Sequence, residues 1–356
     1  MILFVDPISV RPYSNASLRQ GALGGTEATI IRVAEALDGF VAQKGRKAAE
    51  GRYLPYTLRE NIDQLIVLRD PEALLEWHEK IPSAKPYLWL HDLLAIGTFN
   101  QRQLTALARS LVKIGTTVIC VSEFHSRQAE IAVAVAGVSL QELPIKVIYN
   151  PIDDELLGND VSVDPYKLVF FSSPHKGLSV AIDAFRYIHK RNRFFKFYIA
   201  NPGYQKNNKT NDSGIYWLGE LSHGDIIKHV RTALCVFYPN FVYPETFGLV
   251  FAESNAVGTP VLTHPIGAAP EVLNGDQRQL RAVNSALVSA ERLSHVLPKG
   301  PWRDWVTRLG GIRGGYQEYL RVLSDWSKQR PSVTANEALR MRNVKAQWEN
   351  LLYKTR

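Results

Sequence analysis

Two glutamates flank a segment that predicts a short apolar helix. Glu245 lies just before the helix, and Glu253 lies inside it, eight positions later. Eight helical residues rise about 12 Å, so the two carboxylates are expected to hold different parts of an elongated ligand. The amides of Phe247, Gly248 and Leu249 would face that ligand. A buried Glu253 needs a partner, which a ribose diol would supply; the alternative is a capping role for Glu245 and a salt bridge for Glu253.

A lysine occupies a similar place after another predicted strand. The turn begins with Ser172 and Ser173 and ends with Lys176 and Gly177, directly before a helix. A cation there, together with the helix N-terminal amides, can neutralise a departing phosphate. The alternative is a surface lysine beside a turn.

The first half holds two further candidate turns. Gly24 and Gly25 precede a helix, where paired glycines let the backbone approach a ligand; the alternative is a plain loop with Thr26 as the cap. His91 ends a predicted strand and can donate a hydrogen bond or shuttle a proton; the alternative is a structural histidine beside a capping Asp92. No second histidine stands at metal-ligand spacing and no D-x-D motif occurs, so we predict no metal and no cofactor.

The amino-acid composition favours some classes of binding partner and excludes others. The 356 residues carry 42 Lys and Arg against 34 Asp and Glu, a formal charge of +8. That surplus suits an anionic small ligand or an anionic membrane surface, whereas the absence of a basic stripe with interleaved aromatics argues against nucleic acid. No run approaches 18 apolar residues, so no membrane span is expected. Cys120 and Cys235 sit in apolar runs, which favours buried thiols and a cytoplasmic location, with peripheral membrane contact as an alternative.

The elements that must position these residues alternate between short apolar and longer amphipathic segments, which indicates an α/β fold. We expect domains at 1–150 and 151–334 with a linker over Asn150–Pro165, a largely helical chain from Gln277, and a final helix within 335–356 that can return to the first domain. No strand is predicted over Lys44–Thr57, where the first domain could be expected to have one more.

The predicted strands are Ile2–Val5, Leu65–Leu68, Tyr87–Leu90, Val118–Val121, Lys146–Tyr149, Leu168–Phe171, Phe195–Ala200, Ile215–Leu218, Leu234–Tyr238 and Pro260–Thr263. The predicted helices are Glu27–Val41, Pro71–Ile81, Asn100–Lys113, Ser126–Ala136, Leu178–Lys190, His223–Thr232, Gly248–Val257 and Ala335–Leu352.

The segment E-T-F-G-L-V-F-A-E, from Glu245 to Glu253 and followed by G-T-P, resembles the E-x7-E signature of the retaining glycosyltransferases of family 4. G-G-T-E, L-H-D and S-S-P-H-K-G-L occur in the order that family shows, and the resemblance extends to about Glu271. It implies the GT-B fold, in which two Rossmann-like doubly wound domains face each other across a cleft. Residues 1–150 would then form the acceptor-side domain and residues 151–334 the nucleotide-sugar-binding domain. Many members carry an arginine before the lysine, whereas this chain has serines there.

The resemblance implies an enzyme that moves a sugar from a nucleotide-diphosphate sugar, UDP or GDP, to a hydroxyl of a saccharide or lipid-linked saccharide in glycan or polysaccharide assembly. The alternatives are a nucleotide-sugar epimerase on the same fold and a non-catalytic sugar-nucleotide or glycan-binding protein. The implied catalytic residues are His91, Lys176 and Glu245. The implied donor-binding residues are Gly24, Gly25, Ser172, Ser173, Gly219, Glu220, Leu221, Thr246, Phe247, Gly248, Leu249 and Glu253.

Overall fold

The computed structural model describes residues 1–20, 23–57, 61–93, 100–158, 160–201, 210–241, 243–281 and 311–353. Contacts between residues divide the chain into two compact units. The first unit comprises Met1–Leu18, Gly25–Asp154 and Glu337–Arg356, and the second comprises Arg19–Gly24 and Glu155–Asn336.

The first unit is built on a seven-stranded parallel sheet in the order β3-β2-β1-β4-β5-β6-β7. The strand order reverses direction between β1 and β4. Every residue of β1 is buried, as expected for a parallel strand covered on both faces. The strands are β1 (Ile2–Asp6), β2 (Phe40–Gln43), β3 (Tyr53–Pro55), β4 (Gln64–Leu68), β5 (Lys85–Trp89), β6 (Thr117–Cys120) and β7 (Ile145–Val147).

The second unit has a five-stranded parallel sheet in the order β10-β9-β8-β11-β12. Here the order reverses between β8 and β11. The predicted α/β class and the parallel, doubly wound sheets are therefore confirmed. The strands are β8 (Asp164–Phe171), β9 (Lys196–Asn201), β10 (Ile215–Glu220), β11 (Ala233–Phe237) and β12 (Val261–Leu262).

Helices connect the strands of both sheets. The helices are α1 (Ser17–Gln20), α2 (Gly25–Ala36), α3 (Pro71–Lys80), α4 (Gln101–Lys113), α5 (Glu123–Val135), α6 (Leu178–Arg191), α7 (His223–Arg231), α8 (Leu249–Ala256), α9 (Ala269–Val272), α10 (Gly311–Lys328) and α11 (Met341–Tyr353). No described helix is both long and apolar enough to cross a bilayer.

Each predicted strand is present with shifted ends, but three predictions about the chain's organisation are wrong. The helix predicted over Glu27–Val41 ends at Ala36, because Asp38 takes a φ of +51° and the chain turns into β2. The predicted absence of a strand over Lys44–Thr57 fails, since β3 pairs with β2 there. The linker predicted up to Pro165 is too long, because β8 already begins at Asp164.

The C-terminal helix α11 packs inside the first unit. Trp348 is fully buried, with its ring centroid 6.0 Å from that of Phe4 and 4.9 Å from that of Trp89. The backbone N–H of Ile152 donates to the carbonyl of Leu339, just before this helix. The thiols of Cys120 and Cys235 are buried in β6 and β11, as predicted. Of the chain predicted to be helical from Gln277, residues 282–310 lie outside the described residues.

Candidate functional site

The reversal of strand order in the second sheet brings two predicted site residues together. Ligands of open parallel sheets bind at the carboxyl edge where the order reverses. Lys176 follows β8 and Glu245 follows β11, on the two sides of that point. Lys176 Nζ lies 2.7 Å from Glu245 Oε2, and the two side chains are 25% and 7% exposed. Lys176 and Glu245 belong to two separate sequence motifs, and in the fold they form one partly buried ion pair.

A tyrosine that the sequence analysis missed completes this pair. The hydroxyl of Tyr238 donates to Glu245 Oε1 at 2.5 Å, and Tyr238 is 1% exposed. The capping alternative for Glu245 is therefore wrong, since the N-cap of α8 is Gly248 and no side chain caps it. Tyr238 ends an apolar run, so from sequence it resembles a core residue.

The turn after β12 fixes the backbone of Glu245. The N–H of Ala268 donates to the carbonyl of Glu245 at 2.9 Å. Gly267 has a φ of +62°, and a Cβ placed on it would lie 2.5 Å from that same carbonyl oxygen. Only glycine allows the backbone at position 267 to come this close to Glu245, so the turn holds Glu245 in place through backbone contacts.

Two helix N-termini at this edge lack a capping side chain. The N-caps of α6 and α8 are Gly177 and Gly248, with φ values of +91° and +87°, and neither has a side-chain cap. Helix N-termini attract anions through their amides and dipole, so this pair suits a phosphate-bearing ligand. By contrast, α3, α4, α5 and α7 begin with the capping side chains of Asp70, Asn100, Ser122 and Ser222.

The second glutamate of the motif has a partner within the protein. Glu253 lies in α8 and is 6% exposed, and its Oε1 atom is 2.9 Å from Nε2 of His223. His223 is the first residue of α7. Burial of Glu253 therefore does not by itself require a ligand, since His223 is a partner within the protein, and the predicted contact of Glu253 with a ribose stays a prediction. Because His223 stands 30 residues upstream, no local pattern identifies it.

The remaining donor-side candidates occupy the carboxyl ends of neighbouring strands. Ser172 and Ser173 follow β8 and are buried, and Ser173 Oγ lies 2.9 Å from His175 Nδ1. Gly219 has a φ of +73° beside an irregularity in β10, the edge strand of the sheet. Glu220 ends that strand and Leu221 follows it. Phe247 is buried, whereas Thr246 and Leu249 are partly exposed.

In the first unit, His91 lies two residues after the end of β5 and is 5% exposed. Burial, followed by the charges of Arg69 and His125, holds the pKa of His91 well below its usual value. The ring is therefore neutral at pH 7 and cannot act there as a cationic acid. The carbonyl of the neighbouring Asp92 accepts a hydrogen bond from His125 Nε2 at 3.0 Å.

Gly25 is the first residue of α2 and Gly24 directly precedes it. Thr26 therefore lies within the first turn of the helix rather than at its N-cap, which corrects the capping alternative for that residue. Among the described residues, no three His, Cys, Asp or Glu side chains gather in a way that could hold a metal ion.

Comparisons with known proteins agree with this architecture. Residues 165–299 match the family model described as Glycosyl transferases group 1. An uncharacterized glycosyltransferase of Methanocaldococcus jannaschii, MJ1178, is 29% identical over 175 residues, which is 46% of this chain and 46% of that protein. The match thus spans about half the length of this relative.

Solved structures share the fold over nearly the whole chain. Anabaena HepE in complex with UDP-glucose aligns with a TM-score of 0.61 at 18% identity, covering 99% of both chains. A glycosyltransferase from Rickettsia africae aligns with a TM-score of 0.56 at 14% identity, also over 99% of both. The fold is that of the GT-B glycosyltransferases. The match to the family model lies within the second unit, and together these comparisons support a glycosyltransferase.

Proposed function

We propose that the protein transfers a glycosyl group from a nucleotide-diphosphate sugar to a hydroxyl acceptor with retention at the anomeric carbon. The observation that carries this proposal is the Lys176–Glu245 pair at the point where strand order reverses, next to two helix N-termini without side-chain caps. A diphosphate needs positive potential at such a site, and lysine and helix N-termini are groups that provide it.

In this proposal, the donor's diphosphate binds to Lys176 and to the N-termini of α6 and α8. An ammonium group has three donors, so Lys176 can contact Glu245 and a phosphate oxygen together. As the bond to the sugar breaks, negative charge builds on the leaving diphosphate, and these fixed groups stabilise it. Glu253, oriented by His223, accepts hydrogen bonds from the ribose hydroxyls.

The other candidates keep the roles expected from the sequence. Glu245 lies beside the donor sugar with the neighbouring amides of Phe247, Gly248 and Leu249. In the first unit, His91 offers a neutral hydrogen-bonding group to the transferred sugar. The acceptor hydroxyl attacks the face from which the diphosphate leaves, which gives retention. Gly24, Gly25, Ser172, Ser173 and Thr246 lie near the diphosphate and sugar, and Gly219, Glu220 and Leu221 border the base.

UDP-sugars are the donors to test first. The Anabaena protein was solved with UDP-glucose, and the pneumococcal O-GlcNAc transferase GtfA was solved with UDP and GlcNAc. GDP-sugars form the second panel. We propose a saccharide or lipid-linked saccharide as acceptor, in glycan or polysaccharide assembly. A lipid-linked acceptor would bring the protein to a membrane surface, which its charge of +8 favours.

The test measures nucleoside diphosphate released from each donor, with and without saccharide acceptors. We expect release from at least one donor, and a loss of about a hundredfold or more in Lys176→Met and Glu253→Gln. Lys228→Met, at a lysine that is 77% exposed, is the matched control and should retain activity. Donor binding without release would indicate the non-catalytic alternative. An isomerised sugar that forms without any transfer to an acceptor would indicate the epimerase.

A further inference from the structure

A cationic segment connects α6 to β9 in the second unit. Residues 190–196, which we call the basic turn, have the sequence K-R-N-R-F-F-K. Its four cationic residues, Lys190, Arg191, Arg193 and Lys196, are all exposed. The basic turn thus places a concentrated positive charge on the surface of this unit.

The protein itself does not neutralise this charge. No carboxylate of the described residues forms an ion pair with a cation of the basic turn, whereas Arg186, further upstream in α6, pairs with Asp212 at 2.7 Å. The guanidinium of Arg191 lies over the ring of Tyr187, 3.5 Å from its centroid. The cations of the basic turn therefore remain available to an external anion.

The helix dipole explains only part of the pattern. Lys190 and Arg191 lie in the last turn of α6, where cations stabilise the carboxyl end of a helix. Arg193 and Lys196 lie beyond that end, and the helix gives no reason for their charge. A binding role accounts for all four.

An aromatic ring projects from the middle of the same segment. Phe194 is 70% exposed, although the next residue, Phe195, is fully buried. The backbone N–H of Phe194 donates to Oδ1 of Asn192 at 3.0 Å, which fixes the turn. Its ring centroid lies 5.4 Å from that of the half-buried Tyr166. A single exposed apolar residue is ordinary on a protein surface, but here it stands among unpaired cations.

We propose that the basic turn docks on an anionic lipid bilayer. The four cations contact the lipid headgroups, and Phe194 enters the boundary between headgroups and acyl chains. Cations near an anionic membrane surface each contribute to binding, and an apolar side chain at the same place adds to it. Long cationic side chains can lie along the interface and keep their charged ends at the phosphates.

The shape of the segment favours a membrane over other anionic partners. Proteins that bind single-stranded nucleic acid offer successive rings along a groove, whereas only Phe194 of the two rings in the basic turn is open to solvent. A fluid interface accepts one projecting ring without a preformed pocket. The unpaired cations supply the charge complementarity that an anionic surface requires.

The basic turn is separate from the proposed donor site. It directly precedes β9, so it belongs to the amino edge of the second sheet, whereas Lys176 and Glu245 follow the carboxyl ends of β8 and β11. Membrane binding and donor turnover can therefore be measured independently, and this inference does not rest on the proposed glycosyl transfer.

The test is sedimentation of the full chain with phosphatidylcholine vesicles, with and without about one third phosphatidylglycerol. The wild type should bind only the anionic vesicles, and binding should weaken at high salt. Arg193→Gln combined with Lys196→Gln should lower the partition coefficient about twenty-five-fold, roughly fivefold for each cation. Phe194→Ser should lower it about tenfold. Both variants should keep the Tm and the UDP affinity of the wild type.

Matched variants control for total charge and for total exposed apolar surface. Lys80→Gln combined with Lys345→Gln removes the same two charges from the first unit, where both side chains are 44% exposed. Ile131→Ser removes an apolar side chain that is 51% exposed in α5. Both controls should bind anionic vesicles like the wild type. Phe194→Trp should also bind, and brominated lipid should quench its additional fluorescence because tryptophan favours the interface.

Four results would overturn the proposal. The wild type fails to bind anionic vesicles, the control pair loses as much binding as the pair in the basic turn, or brominated lipid leaves the Phe194→Trp fluorescence unchanged. In the fourth, single-stranded DNA binds as tightly as vesicles and through the same residues, which would make the turn a general polyanion surface. If vesicle binding follows the prediction while Lys176→Met keeps full turnover, only the proposed donor site fails.

Discussion

The Nζ atom of Lys176 lies 2.7 Å from Oε2 of Glu245, across a sequence separation of 69 residues. The Glu245 carboxylate is buried, whereas the Lys176 ammonium group is partly exposed to solvent. A buried carboxylate without hydrogen-bond donors would strongly destabilise the fold. Tyr238 supplies a second donor, which lets the lysine also serve an anionic ligand without leaving Glu245 unsatisfied.

Removal of the Tyr238 hydroxyl should therefore damage function more than folding. Glu245 accepts hydrogen bonds from Lys176 and from Tyr238, and the Tyr238→Phe variant leaves only the bond from Lys176. The lysine is then held more tightly by Glu245 and is less able to bind a diphosphate. We expect kcat/KM for the donor to fall about ten- to hundredfold, the equivalent of one charge-assisted hydrogen bond.

The control for this variant is Tyr87→Phe, because Tyr87 is fully buried in β5 and its hydroxyl has no hydrogen-bond partner. It should keep wild-type kinetics. A double variant, Tyr238→Phe with Glu245→Gln, should bind UDP no more weakly than Glu245→Gln alone. Additive losses would show that Tyr238 acts independently of Glu245.

The contact between His223 and Glu253 predicts a selective effect on donor binding. His223→Ala removes a donor from a buried carboxylate, so KM for the donor should rise about tenfold while kcat changes less. Glutamine can donate from a similar position, so His223→Gln should recover most of the affinity. Initial rates across donor concentrations measure both parameters. Equal KM values in the wild type and His223→Ala would contradict a positioning role.

Gly267 offers a backbone test of the same site. Gly267→Ala forces a methyl group to within 2.5 Å of the Glu245 carbonyl oxygen and adds left-handed strain, so we expect a loss of more than about 2 kcal/mol in the free energy of unfolding and weaker UDP binding. Gly258→Ala is the control, since Gly258 has a φ of +76° and open space around it. It should lose only about 1 kcal/mol and bind UDP normally. Equal effects of the two substitutions in urea denaturation would argue against the close approach.

Two buried histidines predict how stability depends on pH. Burial lowers the pKa values of His125 and His264 from 6.5 to about 4, although hydrogen bonds to the carbonyls of Asp92 and Arg281 oppose the shift. Between pH 6.5 and 4 the unfolded chain binds protons that the folded chain does not. The free energy of unfolding should thus be at its full value above pH 6.5 and fall as the pH drops, by about 1.4 kcal/mol per pH unit for each histidine.

Denaturant titrations across this range measure the slope. His264→Gln should flatten it by the contribution of one group, even if the variant is less stable at every pH. An unchanged slope would show that His264 is not a neutral buried group in the folded state.

The sequence was sufficient for the fold because each sheet consists of buried apolar strands separated by amphipathic helices. β2 and β3 were missed for physical reasons: β2 begins four residues after the end of α2, and β3 has only three residues. In both cases the pairing partner, rather than the local pattern, stabilises the strand.

The residues of the candidate site likewise fall into those that the sequence identifies and those that it does not. Lys176, Glu245 and Glu253 stand in motifs whose spacing indicates chemistry. Their partners Tyr238 and His223 do not. Tyr238 lies only seven residues before Glu245 but ends an apolar run that is typical of a core strand, and His223 reaches Glu253 across 30 residues through the placement of α7 and α8.

The proposed donor site requires that the second unit binds UDP, and isothermal titration of the full chain measures this binding directly. We predict saturable binding by the wild type and by Lys228→Met, and affinity reduced at least tenfold in Lys176→Met, whose folding is checked by its Tm. A Lys176→Met variant that is folded and binds UDP as tightly as the wild type would contradict the central claim.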